Sequence, residues 1–234
     1  INDASTGRKF TICDKRLCPT YALLDPSITR SLPPQVTAAS GLDAFIHGLE
    51  GLLNRRASPL VQATALDAMA LVYAALSHAL AEPDDIDARA TLMTAATYGG
   101  VTIANARTGM MHTLSVAISQ HVRQPHGLLC AKPFYEVLSF NQPFITPQLV
   151  QVGERLFKET MGGDAVIDRL ARWMRSLNVE LQQTDLQDET GSVHAIVERV
   201  GEDKGLHEVN PRPFSDEDVR RIVMNMLRHP TGIA

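Results

Sequence analysis

Three histidines fall within fifteen consecutive residues, at His112, His121 and His126. Imidazole is a common ligand of first-row transition ions, so these side chains could bind one metal ion. In a single unbroken helix, His112 and His126 would lie about 21 Å apart along the axis, too far to share an ion. Pro125 removes a backbone donor and disfavours helix at Gln124, so we expect a helix break between His121 and Pro125. His112 and His126 could then converge from two helices, while His121 faces solvent.

A second pair of candidate ligands lies in GLDAFIHGLEG, where Asp43 and His47 are four residues apart. Side chains at this spacing share one helix face, and Glu50 follows on the same stripe. The pair could stabilise its helix by only roughly 0.2–0.5 kcal/mol, or it could supply two metal ligands. With His112 and His126 it would offer one carboxylate and three imidazoles, a set that suits Fe(II), Zn(II) or a related ion. Such an ion would leave a position for a substrate oxygen and act as a Lewis acid.

The composition narrows the class of protein. Of the 234 residues, 44% are hydrophobic, which is enough for one or two sizeable cores. A formal net charge of -4 gives no basic surface for nucleic acid, so we expect no such partner. The apolar stretches are interrupted by His, Asp or Gly, so we expect no membrane partner. Three cysteines, an odd number, do not suggest a disulfide framework, which favours a cytoplasmic location.

The pattern of apolar residues predicts a mainly α protein, a helical bundle with a small β-containing N-terminal part. Short strands are predicted at KFTI (9–12) and YALLD (21–25), because both are rich in β-branched or aromatic residues. Apolar residues recur with helical spacing at Leu42, Phe45, Ile46, Leu49 and Leu53. The helices are predicted from a Thr37 cap to about Leu53, from Ser58-Pro59 to about Leu80, from Asp84 or Asp85, and at 109–121, 126–140, 147–160, 164–177, 186–200 and 216–228.

The residues also carry a family resemblance. The segments LLDPSITRSLPPQVTAASGLDAFIHGLEG, SPLVQATAL, GMMHTLSVAISQHVRQPHG, LSFN and NPRPFSDEDVRRIV together closely resemble the iron-containing (group III) alcohol dehydrogenases. This family shares the dehydroquinate-synthase-like fold. The resemblance implies that Asp43, His47, His112 and His126 hold the metal, Fe(II) with Zn(II) as an alternative. It covers essentially the whole chain.

The resemblance also implies a two-domain enzyme. Residues 1–36 would be the β-containing connection to an N-terminal α/β domain that binds NAD or NADP, and 37–234 the all-α metal-binding catalytic domain. The expected activity is NAD(P)-linked interconversion of a small alcohol and an aldehyde or ketone, in a homo-oligomer. The Gly-Gly pairs at 99–100 and 162–163 lack the strand–turn–helix context of a phosphate loop, so we expect the chain alone to be inactive.

Two features depart from the family pattern or leave alternatives open. Family members often have a histidine where this chain has Val116, so the residue that relays a proton is unassigned. A maleylacetate-reductase-like enzyme is an alternative, although Met111 and Gly127 argue against it. A lyase or synthase on the same fold typically has Glu in place of Asp43. A non-catalytic helical metal-binding or assembly module also remains open, if the chain exists alone.

Overall fold

The computed structural model describes residues 14–179 and 189–228. Within these ranges the chain forms ten α-helices, joined by short turns, and no β-strand. Two 3-10 turns precede the helices, at Lys15–Leu17 and Pro26–Thr29. The helices are α1 (Pro34–Leu53), α2 (Pro59–Ala81), α3 (Ile86–Ala106), α4 (Met110–Ile118), α5 (His126–Ala131), α6 (Phe134–Val152), α7 (Gly163–Ser176), α8 (Glu189–Gly201), α9 (Lys204–Val209) and α10 (Asp216–Arg228). The predicted all-α architecture is therefore confirmed.

Helix α1 is the centre of the bundle and packs against α2, α3 and α5. The residues predicted for its apolar face are all buried: Leu42, Phe45, Ile46, Leu49 and Leu53. Gly48 permits a close approach to α2, because a Cβ there would lie 2.8 Å from the backbone oxygen of Ala65. Helices α6 and α7 pack together, and α8 contacts α4 and α10, which completes the layer beside α1.

Local capping residues fix where α2 and α3 begin. The Ser58 hydroxyl accepts a hydrogen bond from the backbone N–H of Val61, and Pro59 is the first helical residue, as predicted. Asp85 caps α3 by accepting from the N–H groups of Asp87 and Ala88.

The predicted start of α1 was wrong. The helix begins at Pro34, whose fixed φ suits a first helical position. Thr37 is instead a buried residue inside the first turns of α1. Its hydroxyl accepts a hydrogen bond from Arg89 at 2.7 Å, which ties α1 to α3.

The predicted strand at 21–25 does not form. Tyr21, Leu23 and Leu24 are exposed, and no backbone ladder pairs with them inside the described ranges. A strand needs a partner for its backbone N–H and C=O groups, and a β-rich composition alone supplies none. The other predicted strand, 9–12, lies outside the described residues.

The predicted helix break between His121 and Pro125 is confirmed. Helix α4 ends at Ile118 and α5 begins at His126, with Pro125 as the residue that precedes the helix rather than its first member. The prediction of one helix at 126–140 was wrong, because the chain turns at Lys132 and Pro133 and restarts at Phe134.

The prediction of a separate helix at 147–160 was also wrong. Helix α6 continues through Pro143 and Pro147 to Val152, and a single π turn, Gly153–Phe157, follows. Ile145 and Leu149 are fully buried in this stretch. Their packing compensates for the backbone hydrogen bonds that the two prolines remove.

By length and composition, α2 could also cross a membrane, since an 18-residue window within it has a mean hydropathy of 1.5. Two observations fit a core helix instead. Asp67 on this helix forms an ion pair with Arg155 at 2.5 Å, and Met69, Val72 and Leu76 are fully buried against the rest of the bundle. The expectation of no membrane partner remains a prediction.

Candidate metal centre and adjoining cleft

Three of the four candidate ligands, on three helices, come together at one point, and His47 lies beside them. Asp43 and His47 project from one face of α1, His112 from the first turn of α4, and His126 is the first residue of α5. The Asp43 Oδ1 atom lies 3.4 Å from Nε2 of His112 and 3.8 Å from Nε2 of His126. The His47 ring stacks on that of His112, with centroids 4.5 Å apart and planes 15° from parallel.

A close contact between α1 and α5 makes this convergence possible. A Cβ at Gly127 would overlap the backbone oxygen of Ala39 and lie 2.9 Å from Cβ of Asp43. Only glycine therefore allows α5 to approach α1 so closely. This contact places His126, the residue just before Gly127, beside Asp43.

Two buried polar atoms in the cluster have no hydrogen-bond partner: Asp43 Oδ1 and His112 Nε2. They face each other at 3.4 Å. A buried polar atom without a partner is costly, and both of these atoms can donate an electron pair to a cation. The donor set therefore fits a bound metal ion.

Glu50 holds His112 from the side opposite Asp43. This carboxylate is buried, with 5% exposed, and accepts hydrogen bonds from the backbone N–H groups of Gly109 at 2.8 Å and Met111 at 2.5 Å. Its Oε2 atom also lies 2.7 Å from Nδ1 of His112, which donates to it. Nε2 is then the nitrogen of His112 that can bind an ion.

The protonation states reflect these surroundings. Burial opposes ionisation of Asp43, but the close contact with His112 and the nearby imidazoles of His47 and His126 outweigh it and lower the pKa of Asp43. Burial lowers the pKa of His47 more than the neighbouring carboxylates raise it. Burial also opposes charge on His112, yet its close contacts with Asp43, Cys130 and Glu50 raise its pKa to about 12. The half-buried Asp43 carboxylate and the buried Glu50 carboxylate thus favour positive charge on the His112 ring between them.

The cluster lies in the wall of an open cleft of about 670 Å³, lined by His112, His126, Thr113, Val116 and polar residues of α8 and α9. Val116 therefore places an aliphatic group, not an imidazole, beside the cluster. His121 is exposed on the turn between α4 and α5. The cleft is large enough for a small organic molecule to reach the cluster.

The other described histidines lie elsewhere, as predicted. His78 pairs with Asp85 at 2.7 Å, and His207 stacks on Phe214. His194 is exposed on α8, where it lines a different cleft. His229 lies outside the described residues.

Two residues of the site were not assigned by sequence reasoning. The position of Glu50 on the Asp43–His47 stripe was noted, but its contact with His112 depends on how α1 and α4 pack. Cys130 was missed entirely; it is buried, and its Sγ lies 3.5 Å from Nε2 of His126. The available signal was the spacing of His126 and Cys130, which are four residues apart like Asp43 and His47.

The fold and the cluster agree with the comparison to known families. The family model described as "Fe-containing alcohol dehydrogenase family, C-terminal" matches residues 37–227. The chain belongs to this family.

Individual relatives support the same assignment. The chain is 25% identical over 233 residues to the NAD-dependent methanol dehydrogenase of Bacillus methanolicus, and the match covers 97% of this chain and 61% of the relative. It is 28% identical over 245 residues to a 1-propanol dehydrogenase of Salmonella typhimurium, with 97% and 64% covered.

A solved structure shows the same fold. The iron-containing alcohol dehydrogenase of Thermococcus thioreducens superposes with a TM-score of 0.84 at 28% identity, over 93% of this chain and 57% of that protein. The chain therefore spans about three fifths of the length of these relatives.

Proposed function

We propose that this chain is the metal-binding part of an NAD(P)-linked dehydrogenase that interconverts a small alcohol and its aldehyde or ketone. One observation carries the proposal: in a chain of this family, one carboxylate and three imidazoles from α1, α4 and α5 meet in the wall of an open cleft. The named relatives act on methanol and 1-propanol, which supports a small alcohol as the substrate.

Asp43, His47, His112 and His126 are the proposed ligands, and the ion is Fe(II), with Zn(II) fitting the same donor types. When bound, the ion supplies Lewis-acid polarisation of the substrate oxygen. Glu50 holds the His112 ring so that Nε2 faces the ion. Asp43, the only one of these four residues that carries negative charge, offsets part of the charge of the ion.

The remaining residues of the cleft are mostly polar and can contact a polar substrate. Thr113 follows His112 on α4, and this hydroxyl-bearing residue also lines the cleft. Val116 cannot accept a proton, and His121 is exposed on the turn. We therefore assign the role of accepting the alcohol proton to neither Val116 nor His121.

The organisation of the whole enzyme is part of the proposal. Residues 1–36 connect to an N-terminal α/β domain that delivers the nicotinamide, and 37–234 form the metal-binding domain. The exposed apolar side chains of Tyr21, Leu23 and Leu24 support this division, because a neighbouring domain would cover them. NAD is the favoured cofactor, given the NAD-dependent relative. We further propose that the enzyme is cytoplasmic and forms a homo-oligomer.

The test uses the natural protein that contains this chain, loaded with Fe(II) or Zn(II) and assayed with NAD and NADP on methanol, ethanol and 1-propanol. We expect metal-dependent reduction of the cofactor, abolished by a chelator and restored by the ion. A second assay measures bound metal per chain. Stoichiometric metal without alcohol oxidation by any of these substrates would refute the proposed activity while leaving the metal site intact.

A further inference from the structure

Positively charged side chains line the cleft beside the candidate metal centre. Arg107, Arg199 and Lys204 contribute to its wall, and so do two acidic residues, Glu202 and Asp203. The candidate ligand imidazoles of α4 and α5 line the same cleft. With three cations and two carboxylates, the wall carries a net positive charge before any metal ion binds. Because the walls of a cleft strengthen the field inside it, an anionic group would be attracted into this space.

Arg107 is held in this wall by an ion pair. Its Nη2 atom donates to both carboxylate oxygens of Asp203, at 2.7 and 2.9 Å. Asp203 also accepts the backbone N–H of Leu206, which anchors the pair to the start of α9. The hydroxyl of Thr113 lies 3.4 Å from Oδ2 of Asp203, and Thr113 directly follows His112 on α4. The pair is therefore tied to the helix that carries one of the candidate ligands.

The packing of α9 fixes the orientation of the Arg107 guanidinium. A Cβ at Gly205 would overlap Nη1 of Arg107, so the guanidinium lies directly against the backbone of α9. The Arg107 side chain nevertheless remains 46% exposed, and it lines the cleft. A guanidinium that is both fixed and accessible is suited to bind a carboxylate or a phosphate through two parallel hydrogen bonds.

The backbone of Arg107 is strained. This residue follows α3 with a φ of 71° and a ψ of 152°, a conformation that favours glycine. Strain of this kind is kept where the surroundings hold it, and it is concentrated at active sites and ligand-binding positions. Glycine would end α3 here at a lower cost, so the presence of arginine points to a use for its guanidinium.

The wall has hydrogen-bond donors left for a ligand. Within residues 14–179 and 189–228, Nη2 is the only atom of the Arg107 guanidinium that makes a hydrogen bond. Arg199 and Lys204 are exposed, and neither forms an ion pair within the same ranges. Glu202 is exposed and unpaired there as well, so it offsets only part of their charge.

We propose that this cleft selects an alcohol or aldehyde that carries a carboxylate at its far end, and that Arg107 determines this specificity. The inference rests on the proposed function and names its substrate class: a hydroxy acid or the corresponding semialdehyde. The hydroxyl end lies beside His112 and His126 while the carboxylate accepts hydrogen bonds from Arg107. The reaction is unchanged, because the hydroxyl-bearing carbon gives hydride to the nicotinamide, the hydroxyl loses its proton, and the carboxylate takes no part.

The first experiment compares acids with neutral amides of the same length. The natural protein that contains this chain, loaded with its metal ion and supplied with NAD, is assayed on ω-hydroxy carboxylates of three to five carbons and on the matching ω-hydroxy amides. We expect the wild-type kcat/KM to favour the carboxylate of the best length by about 10- to 100-fold, the range that a hydrogen bond to a charged group supplies. Added salt should reduce this preference, because it screens exposed charges.

The second experiment removes the guanidinium. Arg107→Gly keeps the backbone conformation, because a φ of 71° suits glycine. The ratio of kcat/KM for the carboxylate to kcat/KM for the amide should fall to near one, through a higher KM for the carboxylate. Lys158→Gly is the matched control: it also replaces a cation by glycine at a positive φ, on the π turn outside the cleft, and it should keep the wild-type ratio.

A purely structural role of Arg107 would give a different result. Arg107→Gly would then lower kcat/KM for the carboxylate and the amide alike and leave their ratio at the wild-type value, which would overturn the inference. The phosphates of the cofactor are the other anions that these cations could bind. A higher KM for NAD in Arg107→Gly, with the wild-type ratio retained, would assign the guanidinium to the cofactor and also overturn the inference.

The wild-type measurements separate this inference from the proposed function. Equal kcat/KM for carboxylates and amides would overturn the inference and leave the proposed function standing, since the amides are alcohols too. Turnover of no alcohol, neutral or acidic, would overturn the proposed function itself and the inference with it.

Discussion

The Oε2 atom of Glu50 lies 2.7 Å from Nδ1 of His112, and both side chains are buried. The same carboxylate accepts the backbone N–H groups of Gly109 and Met111, which open α4. One residue of α1 therefore fixes the start of α4, the ring of its first candidate ligand and the tautomer of that ring. This relationship leads to the first prediction.

Replacing Glu50 with Gln should weaken zinc binding about 10- to 100-fold, the usual effect of losing a partner that orients a metal-bound histidine. The Gln amide cannot accept all three hydrogen bonds, because half of it is a donor. Zinc affinity is measured by competition with a chelator of known affinity.

Asp203→Asn is the matched control for this variant. Asp203 is a carboxylate at the same cleft that pairs with Arg107 and caps α9 but contacts none of the four ligands. Its zinc affinity should match the wild type. Wild-type zinc affinity in Glu50→Gln would show that the contact does not matter for the ion.

Single alanine substitutions of His112 or His126 should reduce bound metal from one per chain to near zero. Both residues belong to the proposed ligand set and lie beside Asp43, so the loss of either removes a donor from the centre of the site. Elemental analysis of the folded variants supplies the measurement. His78→Ala and His207→Ala, remote from the cluster, should retain full metal; full occupancy in the His112 and His126 variants would contradict the site.

Gly127→Ala should both destabilise the fold and weaken metal binding. The added methyl group meets the backbone of α1 at Ala39, which cannot yield as a flexible side chain can. A cost of about 1–3 kcal/mol is typical for overpacking, and displacement of α5 moves His126 away from Asp43.

Gly100→Ala serves as the comparison for Gly127→Ala, since nothing lies within 4 Å of a Cβ there and alanine favours helix. Urea unfolding and zinc titration of both variants give the result. Equal stability and equal affinity of the two variants would mean that α1 and α5 are not in this contact.

The capping carboxylate Asp85 should make stability depend on pH. Hydrogen bonds from the backbone of Ala88 and from His78 lower the pKa of Asp85 below its ordinary value of 3.8. The unfolded chain therefore binds this proton more tightly than the folded protein. The stabilisation is present above pH 3.8 and is lost as the pH falls through the lowered pKa of the folded protein.

Asp85→Asn removes the negative charge but keeps the helix cap, because Asn caps helices about as well as Asp. The difference in urea midpoint between wild type and variant should shrink as the pH falls below 3.8. A difference that does not change with pH would indicate that the charge of Asp85 contributes nothing to the fold.

Local patterns predicted α1 and the break at Pro125, because helix periodicity and the steric restriction before proline act over a few residues. The same local reasoning failed at Pro147, which tertiary packing keeps inside α6. It also failed at 21–25, where a strand depends on a partner from elsewhere in the chain. Local sequence cannot supply either kind of information.

The residues of the site also fall into two groups: those that local sequence predicts and those that depend on the packing of the helices. Asp43 and His47 are recognisable from their spacing on one helix, but the contact of Glu50 with His112 and the approach of Cys130 exist only after α1, α4 and α5 pack. The resemblance to a known family named four of the residues at this point. Cys130 lies outside that set and became visible only through distances between side chains.

The contact between α1 and α5 has a consequence for the durability of the fold. Asp43 and His126 are neighbours in space but are separated by roughly 80 residues of chain, so an ion held by both closes a long loop. Because the unfolded chain has no preformed site, the ion stabilises the folded form by mass action. The ion would then act as a reversible cross-link between distant parts of the sequence, comparable to a disulfide bridge. Unlike a disulfide, its contribution to the free energy of unfolding would depend on the concentration of the free ion.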